Sequence, residues 1–203
     1  ILIFIPTMKK GGAERVVSLL LKEFELHANI NVKLLLMEDG IDYGLPKSIS
    51  PTVLSKSNKS SIRKLIELPY VAWQLSEYIK ENNINTVMSF LYRPSYINIL
   101  ARLFDSNHKS ILNIRSTTSR YLKEGLSGRV NLFLIKNLFN KADLIVSNSK
   151  GVDEDLKFLA NITTSTKVIY NPVDVEYINS KMHLCEDVNF QFDDNIKYII
   201  SVG

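Results

Sequence analysis

ILIFIPTMKKGGAERVVSLLLKEF, residues 1–24, is the stretch that decides the fold. Ile1–Ile5 reads as a strand, Pro6 to Gly12 as a turn, and an amphipathic helix begins at about Ala13. In that helix Val16, Val17, Leu20 and Phe24 form one stripe, opposite Glu14, Ser18, Lys22 and Glu25. A strand running through a glycine turn into a helix presents unpaired N–H groups and the positive end of the helix dipole at one sheet edge. Gly11 and Gly12, lacking Cβ atoms, leave room there for a phosphate to approach the backbone. The bland alternative is a plain turn, since the pattern is neither G-x-G-x-x-G nor a Walker loop.

The same alternation continues along the chain. Expected strands are Ile30–Met37, Thr86–Phe90, Ser110–Ile114, Leu144–Ser147, Val168–Tyr170 and Tyr198–Val202, all short and rich in β-branched residues. Between them lie helical patterns: Leu65, Leu68, Ala72, Leu75 and Ile79, with a bend expected at Pro69, then Ser95–Phe104, Arg129–Lys141 and Lys150–Leu159. Asp39–Lys59 lacks periodicity and reads as a long loop with one short edge strand. Strand–helix alternation at this spacing implies an α/β fold: a Rossmann-like, doubly wound, mostly parallel sheet with helices on both faces.

Bulk properties narrow the class. The 203 residues are 45% hydrophobic and 23% charged, enough for one substantial domain with a real core. The single cysteine, Cys185, excludes an internal disulfide and a cysteine-based zinc cluster, and suits a reducing compartment. No apolar run has the length to cross a bilayer, and Ile1–Ile5 before Pro6 is too short for a signal-peptide core. The missing initiator Met suggests a processed or truncated chain. Residues 1–143 carry 20 Lys/Arg against 12 Asp/Glu, whereas residues 144–203 carry 5 against 9. A basic front half fits an anionic partner, although most of these lysines simply solvate helix faces.

In an open parallel sheet, ligands bind outside the carboxyl ends of the strands. That rule selects the loops Pro6–Gly12, Glu38–Ile41, Ser89–Pro94, Arg115–Arg120, Ser147–Lys150 and Asn171–Asp174. Arg93 and Arg115 offer forks for phosphate or carboxylate, and either also suits an ion pair with a nearby acid. Ser116 and its hydroxyl neighbours suit sugar oxygens. Tyr92 and Tyr121 serve equally well as packing residues. Ser149 reads first as the N-cap of the helix that follows. His27, His108 and His183 have no ligand spacing, so no metal is expected.

GGAERV after the first strand, ADLIVSNSKGVDEDL, VIYNPVD and a closing YIISVG form a set more specific than any one alone. Together they resemble the N-terminal domain of GT-B retaining glycosyltransferases of family 4. The likeness runs over nearly the whole chain, and MSFLYR and ILNIRS look most like the branch acting on polyprenyl-diphosphate-linked glycans. The resemblance implies a hexose or N-acetylhexosamine transferred, with retention, from a nucleotide-diphosphate sugar in bacterial surface polysaccharide or glycan synthesis (capsule or O-antigen). It implies Gly11 and Gly12 toward the donor diphosphate, and Tyr92, Arg93, Arg115, Ser116 and Asn148 toward the acceptor. Asn171 and Asp174 then bracket the crossover to a second half.

Two departures stand out. Pro172 replaces the glycine usual in N-G-V-D, excluding a positive φ there, and Arg115 stands where some relatives have a histidine. The expected organisation is an acceptor-side domain at 1–174, a linker at 175–195 and the start of a donor-binding domain at 196–203. The catalytic acids would lie in that absent half, so the fragment alone should be inactive. No cofactor and no nucleic-acid partner are expected. The expected partners are the chain's own C-terminal domain, a sugar or lipid-linked glycan acceptor and the cytoplasmic face of the inner membrane. Arg129–Lys141, with Leu132, Ile135 and Phe139 beside three cations, suits either an interfacial helix or a core helix. Alternative functions are a GT-B-like sugar-nucleotide epimerase and a non-catalytic membrane-docking subunit of a two-chain transferase.

Overall fold

The computed structural model describes residues 1–27, 29–55, 66–104, 106–182 and 197. Seven strands form one sheet: β1 (Leu2–Ile5), β2 (Lys33–Glu38), β3 (Thr52–Ser55), β4 (Thr86–Phe90), β5 (Lys109–Ile114), β6 (Leu144–Ser147) and β7 (Thr166–Val168). Their order is β3-β2-β1-β4-β5-β6-β7, and every pairing is parallel. The order reverses between β1 and β4, which is the topological switch point. The helices are α1 (Gly12–Glu25), α2 (Leu68–Glu81), α3 (Tyr92–Ala101), α4 (Gly125–Leu138), α5 (Lys150–Ala160) and α6 (Val175–Met182).

Period-2 alternation divides the core in two. Ile3 and Ile5 join Leu34 and Leu36 under Val16, Val17 and Leu21 of α1. Leu2 and Phe4 face the other way, with Val87, Leu112 and Ile145, under α2 to α5. Strands buried on both faces need apolar side chains at nearly every position, which is why they read as continuous runs.

Several boundaries move. The short edge strand expected within Asp39–Lys59 is β3, paired parallel to β2. Pro69 occupies the first turn of α2, where its missing N–H has no intrahelical acceptor, so it starts the helix instead of bending it. Pro94 does the same in α3, which begins at Tyr92, three residues ahead of expectation. The last strand before the crossover is Thr166–Val168, short of the expected Val168–Tyr170; Ile169 and Tyr170 are exposed. Ile135 and Phe139 are fully buried, so of the two readings left open for this stripe, interfacial or core, these residues take the core one. The expected final strand, Tyr198–Val202, lies outside the described residues.

Contacts divide the chain into Ile1–Pro172 and Val173–Gly203. In the second unit, within the stretch read as a linker, residues Val175–Met182 are helical. The Asp174 carboxylate caps that helix, accepting from the Tyr177 amide at 3.0 Å. Among the described residues no helix is long and apolar enough to cross a membrane.

Candidate functional site

The carboxyl edge of the sheet gathers the candidate residues. After β1, the backbone pairs with the segment following β2: Met8 N–H donates to Gly40 O at 2.8 Å, and Asp42 N–H donates to Met8 O at 2.9 Å. The Asp42 carboxylate accepts from the Lys10 amide at 3.1 Å, and the Tyr43 hydroxyl donates to Gly11 O at 3.1 Å. This clamp fixes the entry to α1. Gly11 is its N-cap, in extended backbone, and no side chain caps the helix. The amides of Gly12, Ala13 and Glu14 therefore have no intrahelical acceptor. A Cβ on Gly12 would meet nothing within 4 Å, whereas one on Gly11 would meet the Glu14 carboxylate, which folds back over it. Neither glycine has a positive φ, so the absent side chain matters here for approach and not for turn geometry.

After β4, Leu91 sits at φ 71° and ψ 169°, a region nearly reserved for glycine that costs ~1–3 kcal/mol. Its N–H donates to Asn113 O at 3.0 Å, and the Ser95 hydroxyl donates to its carbonyl at 2.7 Å; together they hold the strained residue in place. The kink starts α3 immediately, putting Arg93 in its first turn. Arg93 Nη1 donates to Glu38 Oε1 at 3.2 Å. Because β1 lies between β2 and β4, this pair spans the switch point. Arg93 Nε is buried with no partner among the described residues.

Tyr92 turns inward and is 5% exposed. Its hydroxyl donates to Ser116 O at 2.9 Å and meets Thr118 Oγ1 at 2.8 Å; its ring stacks on Phe139 and meets Tyr121 edge-on. Burial raises its pKa well above the ordinary phenol range. Tyr92 thus holds the loop that carries Ser116. Asp155 of α5 braces the same loop, accepting from the amides of Thr118 and Ser119.

After β5, the Arg115 guanidinium lies 5.4 Å from the Phe90 ring centroid, and Nη1 donates to Asn171 Oδ1 at 2.7 Å. Burial pulls its pKa below the usual arginine value, but a guanidinium stays charged. After β6, Asn148 Nδ2 donates to Arg115 O at 3.4 Å. Arg115 Nε, Asn148 Oδ1 and Ser147 Oγ are buried and have no partner among the described residues. Arg115, Asn148 and Asn171 thus form one connected set with spare donors and acceptors. Ser149 is an N-cap: its hydroxyl accepts from the Val152 amide at 3.2 Å. Among the described residues, no group of three or more His, Cys, Asp or Glu side chains is placed to hold a metal.

Residues 10–177 match the family description "Glycosyltransferase Family 4". The chain belongs to that family. Over 206 aligned residues it is 38% identical to the N-acetylgalactosamine-N,N'-diacetylbacillosaminyl-diphospho-undecaprenol 4-alpha-N-acetylgalactosaminyltransferase of Campylobacter jejuni subsp. jejuni serotype O:2. That alignment takes in 99% of this chain and 54% of the relative, so the chain spans about half the length of the curated relative it matches. Among solved structures it superposes on the sucrose-phosphate synthase of Thermosynechococcus elongatus with a TM-score of 0.72 at 12% identity, over 90% of this chain and 52% of that one. The lipopolysaccharide outer core galactosyltransferase WaaB gives 0.60 at 18% identity, over 85% and 46%. The fold is one Rossmann-like half of the GT-B architecture.

Within this family 4 domain, sequence reading gave no role to four contributors, Glu38, Asp42, Tyr43 and Asp155, although Glu38 opens one of the selected loops. Glu38 and Asp42 fell in or beside a segment without periodicity. Nothing local announces that Tyr43 reaches Gly11, 32 residues away. Asp155 entered only as part of the run ADLIVSNSKGVDEDL, with no role of its own.

Proposed function

We propose that this chain is the acceptor-side half of a family 4 enzyme that moves a hexose or N-acetylhexosamine from a nucleotide-diphosphate sugar to a lipid-linked glycan. The reaction proceeds with retention, requires no metal and occurs at the cytoplasmic face of a membrane during bacterial surface polysaccharide or glycan synthesis. The carrying observation is identity across nearly the whole chain with a relative named for a diphospho-undecaprenol-linked substrate. In this reading residues 1–174 form the acceptor side, and a donor-binding half begins near residue 196.

The chemistry follows from the edge already described. As the glycosidic bond to the diphosphate breaks, negative charge builds on the leaving oxygens, and fixed donors aimed at them lower the barrier. The uncapped amides at the start of α1 and the open space at Gly12 supply such donors without reorganisation. Arg115 adds a charged donor nearby. Arg93, Ser116 and Asn148, positioned by Glu38, Tyr92 and Ile114, meet acceptor hydroxyls or its phosphates. Asn171 and Asp174 mark where the chain leaves this half.

The test is a transfer assay with the full-length enzyme, a panel of nucleotide-diphosphate sugars and a polyprenyl-diphosphate glycan, followed by mass spectrometry and anomeric analysis. A mass increment of one sugar with the donor's anomeric configuration is expected, and residues 1–203 alone should show none. An epimerised nucleotide sugar formed without any acceptor would instead make the protein an epimerase.

A further inference from the structure

Beneath the strained Leu91 lies a set of buried polar side chains with no direct part in the candidate site. Ser89 of β4, Ser95 and Asn98 of α3 and Ser110 of β5 are fully buried, and His108 is 3% exposed. Buried polar groups stabilise a fold little more than apolar residues of the same shape would. When their hydrogen bonds are satisfied, however, they fix one arrangement of the elements that carry them.

Two backbone carbonyls, which can only accept, set the direction of the bonds among these groups. At one end the Ser95 hydroxyl donates to Leu91 O at 2.7 Å. Its single proton is thereby used, so Ser95 Oγ accepts from the Ser89 hydroxyl at 3.2 Å; Ile111 O, at 3.4 Å, is the longer of the two acceptors open to Ser89. At the other end Val87 O, at 3.3 Å, obliges the Asn98 amide to present its nitrogen, which also donates to Ser89 Oγ at 3.1 Å. The amide oxygen then accepts from Ser110 Oγ at 3.2 Å and from His108 Nε2 at 2.8 Å. His108 is therefore the tautomer with its proton on Nε2, and its buried Nδ1 has no partner among the described residues. Donation runs in one sense, from His108 through Asn98, Ser89 and Ser95 to Leu91, and each bond polarises the next.

The chain of bonds ends on a residue at φ 71° and ψ 169°, and such strain persists only where the surroundings over-determine it. A relaxed Leu91 would carry with it the two residues that follow: Tyr92, which holds the Ser116 loop, and Arg93, which meets Glu38. We infer that Asn98, acting through Ser89 and Ser95, is a positioning residue for the acceptor side: it holds the Leu91 kink and so fixes Tyr92 and Arg93. The inference rests on the proposed function. Because Asn98, Ser89 and Ser95 are fully buried, they reach a substrate only through the kink.

The experiment is a double-mutant cycle on the full-length enzyme. It is read by KM for a polyprenyl-diphosphate glycan, by KM for a nucleotide-diphosphate sugar and by hydrogen exchange of the residue 91 amide. Ser95→Ala should raise the acceptor KM and speed that exchange about fivefold, the worth of one hydrogen bond, with the donor KM unchanged. Asn98→Leu should act in the same direction, by about fivefold or more. Glycine takes the backbone of residue 91 without strain, so in the presence of Leu91→Gly the further change Ser95→Ala should alter either readout less than about twofold. Ser76→Ala is the control, because that hydroxyl is equally buried and donates to Phe104 O at 2.7 Å with no link to Leu91. It should lower the thermal midpoint much as Ser95→Ala does and leave the acceptor KM alone. Equal effects of Ser95→Ala with and without Leu91→Gly would overturn the inference, as would an acceptor KM raised equally by Ser76→Ala. A ring proton found on Nδ1 of His108 by nitrogen NMR at neutral pH would overturn it too. If the wild-type enzyme transfers to no lipid-linked acceptor, the proposed reaction falls alone, and amide exchange with the His108 tautomer still decides whether the kink is held from Asn98.

Discussion

Helices α1 and α5 begin alike and end up different. Each follows a strand at the carboxyl edge, and each has a first-turn glycine whose Cβ would meet open space, Gly12 in one and Gly151 in the other. At α5 the Ser149 hydroxyl satisfies the Val152 amide, and the start is closed within the chain. At α1 the N-cap is Gly11, which has no side chain to offer. Its orphan amides are left facing the edge, with Tyr43 and Asp42 holding the approach from outside the helix. Two helix starts with the same dipole thus differ in availability. One completes itself, and the other keeps its amides open, as the proposed diphosphate site requires.

The comparison is broken most directly by filling the open start. In the full-length enzyme, Gly12→Val should reduce kcat/KM about a hundredfold or more, the scale of losing oxyanion donors, with little change in Tm. Gly151→Val should leave turnover intact; equal losses in both would show that the two starts do not differ. Next in size is a pH effect that touches neither start. His108 is buried against Asn98, and burial holds its pKa down at about 4. Above pH 6.5 the folded and unfolded chains are both neutral there. Between 6.5 and 4 only the unfolded chain takes the proton, so acid should cost up to about 3 kcal/mol, levelling off below pH 4. Denaturant titrations across that window should flatten in His108→Asn and remain unchanged in Gly12→Val.

Smaller effects sharpen the contrast. Ser149→Ala should cost about 1 kcal/mol in urea unfolding, with kcat per folded molecule unchanged. Gly11→Ser, which gives α1 the cap α5 already has, should raise stability by a few tenths of a kcal/mol. It should also weaken donor-dependent turnover; an unaltered donor KM would count against an anion at α1.

Much of the site was legible from residue types. Gly11, Gly12, Arg93, Arg115, Ser116, Asn148 and Asn171 all lie at the carboxyl edge, because strand ends in a parallel sheet are readable from short apolar runs. Their partners were not legible. Arg93 was read as suited equally to an anion and to an ion pair, and only the order β2-β1-β4 reveals that Glu38 lies within reach. Tyr92 was assigned to the acceptor beside a packing alternative. Its first-turn position after the Leu91 kink turns it inward onto Phe139. Leu91 itself gave no local sign, since a leucine at positive φ is held by its surroundings and not by its own preference.

Sequence by itself determined the alternation of strands and helices, the edge of the sheet where the candidate loops gather, and the bare N-cap of α1. These follow from periodicity and from the presence or absence of a side chain, both local properties. Tertiary structure decided which side of each helix is covered. In α4 it buried Ile135 and left Leu126 and Phe133 outside, although all three are equally apolar in the sequence. Hydrophobic periodicity shows that a helix has an apolar face, but a helix with two such faces can be oriented only by what packs against it.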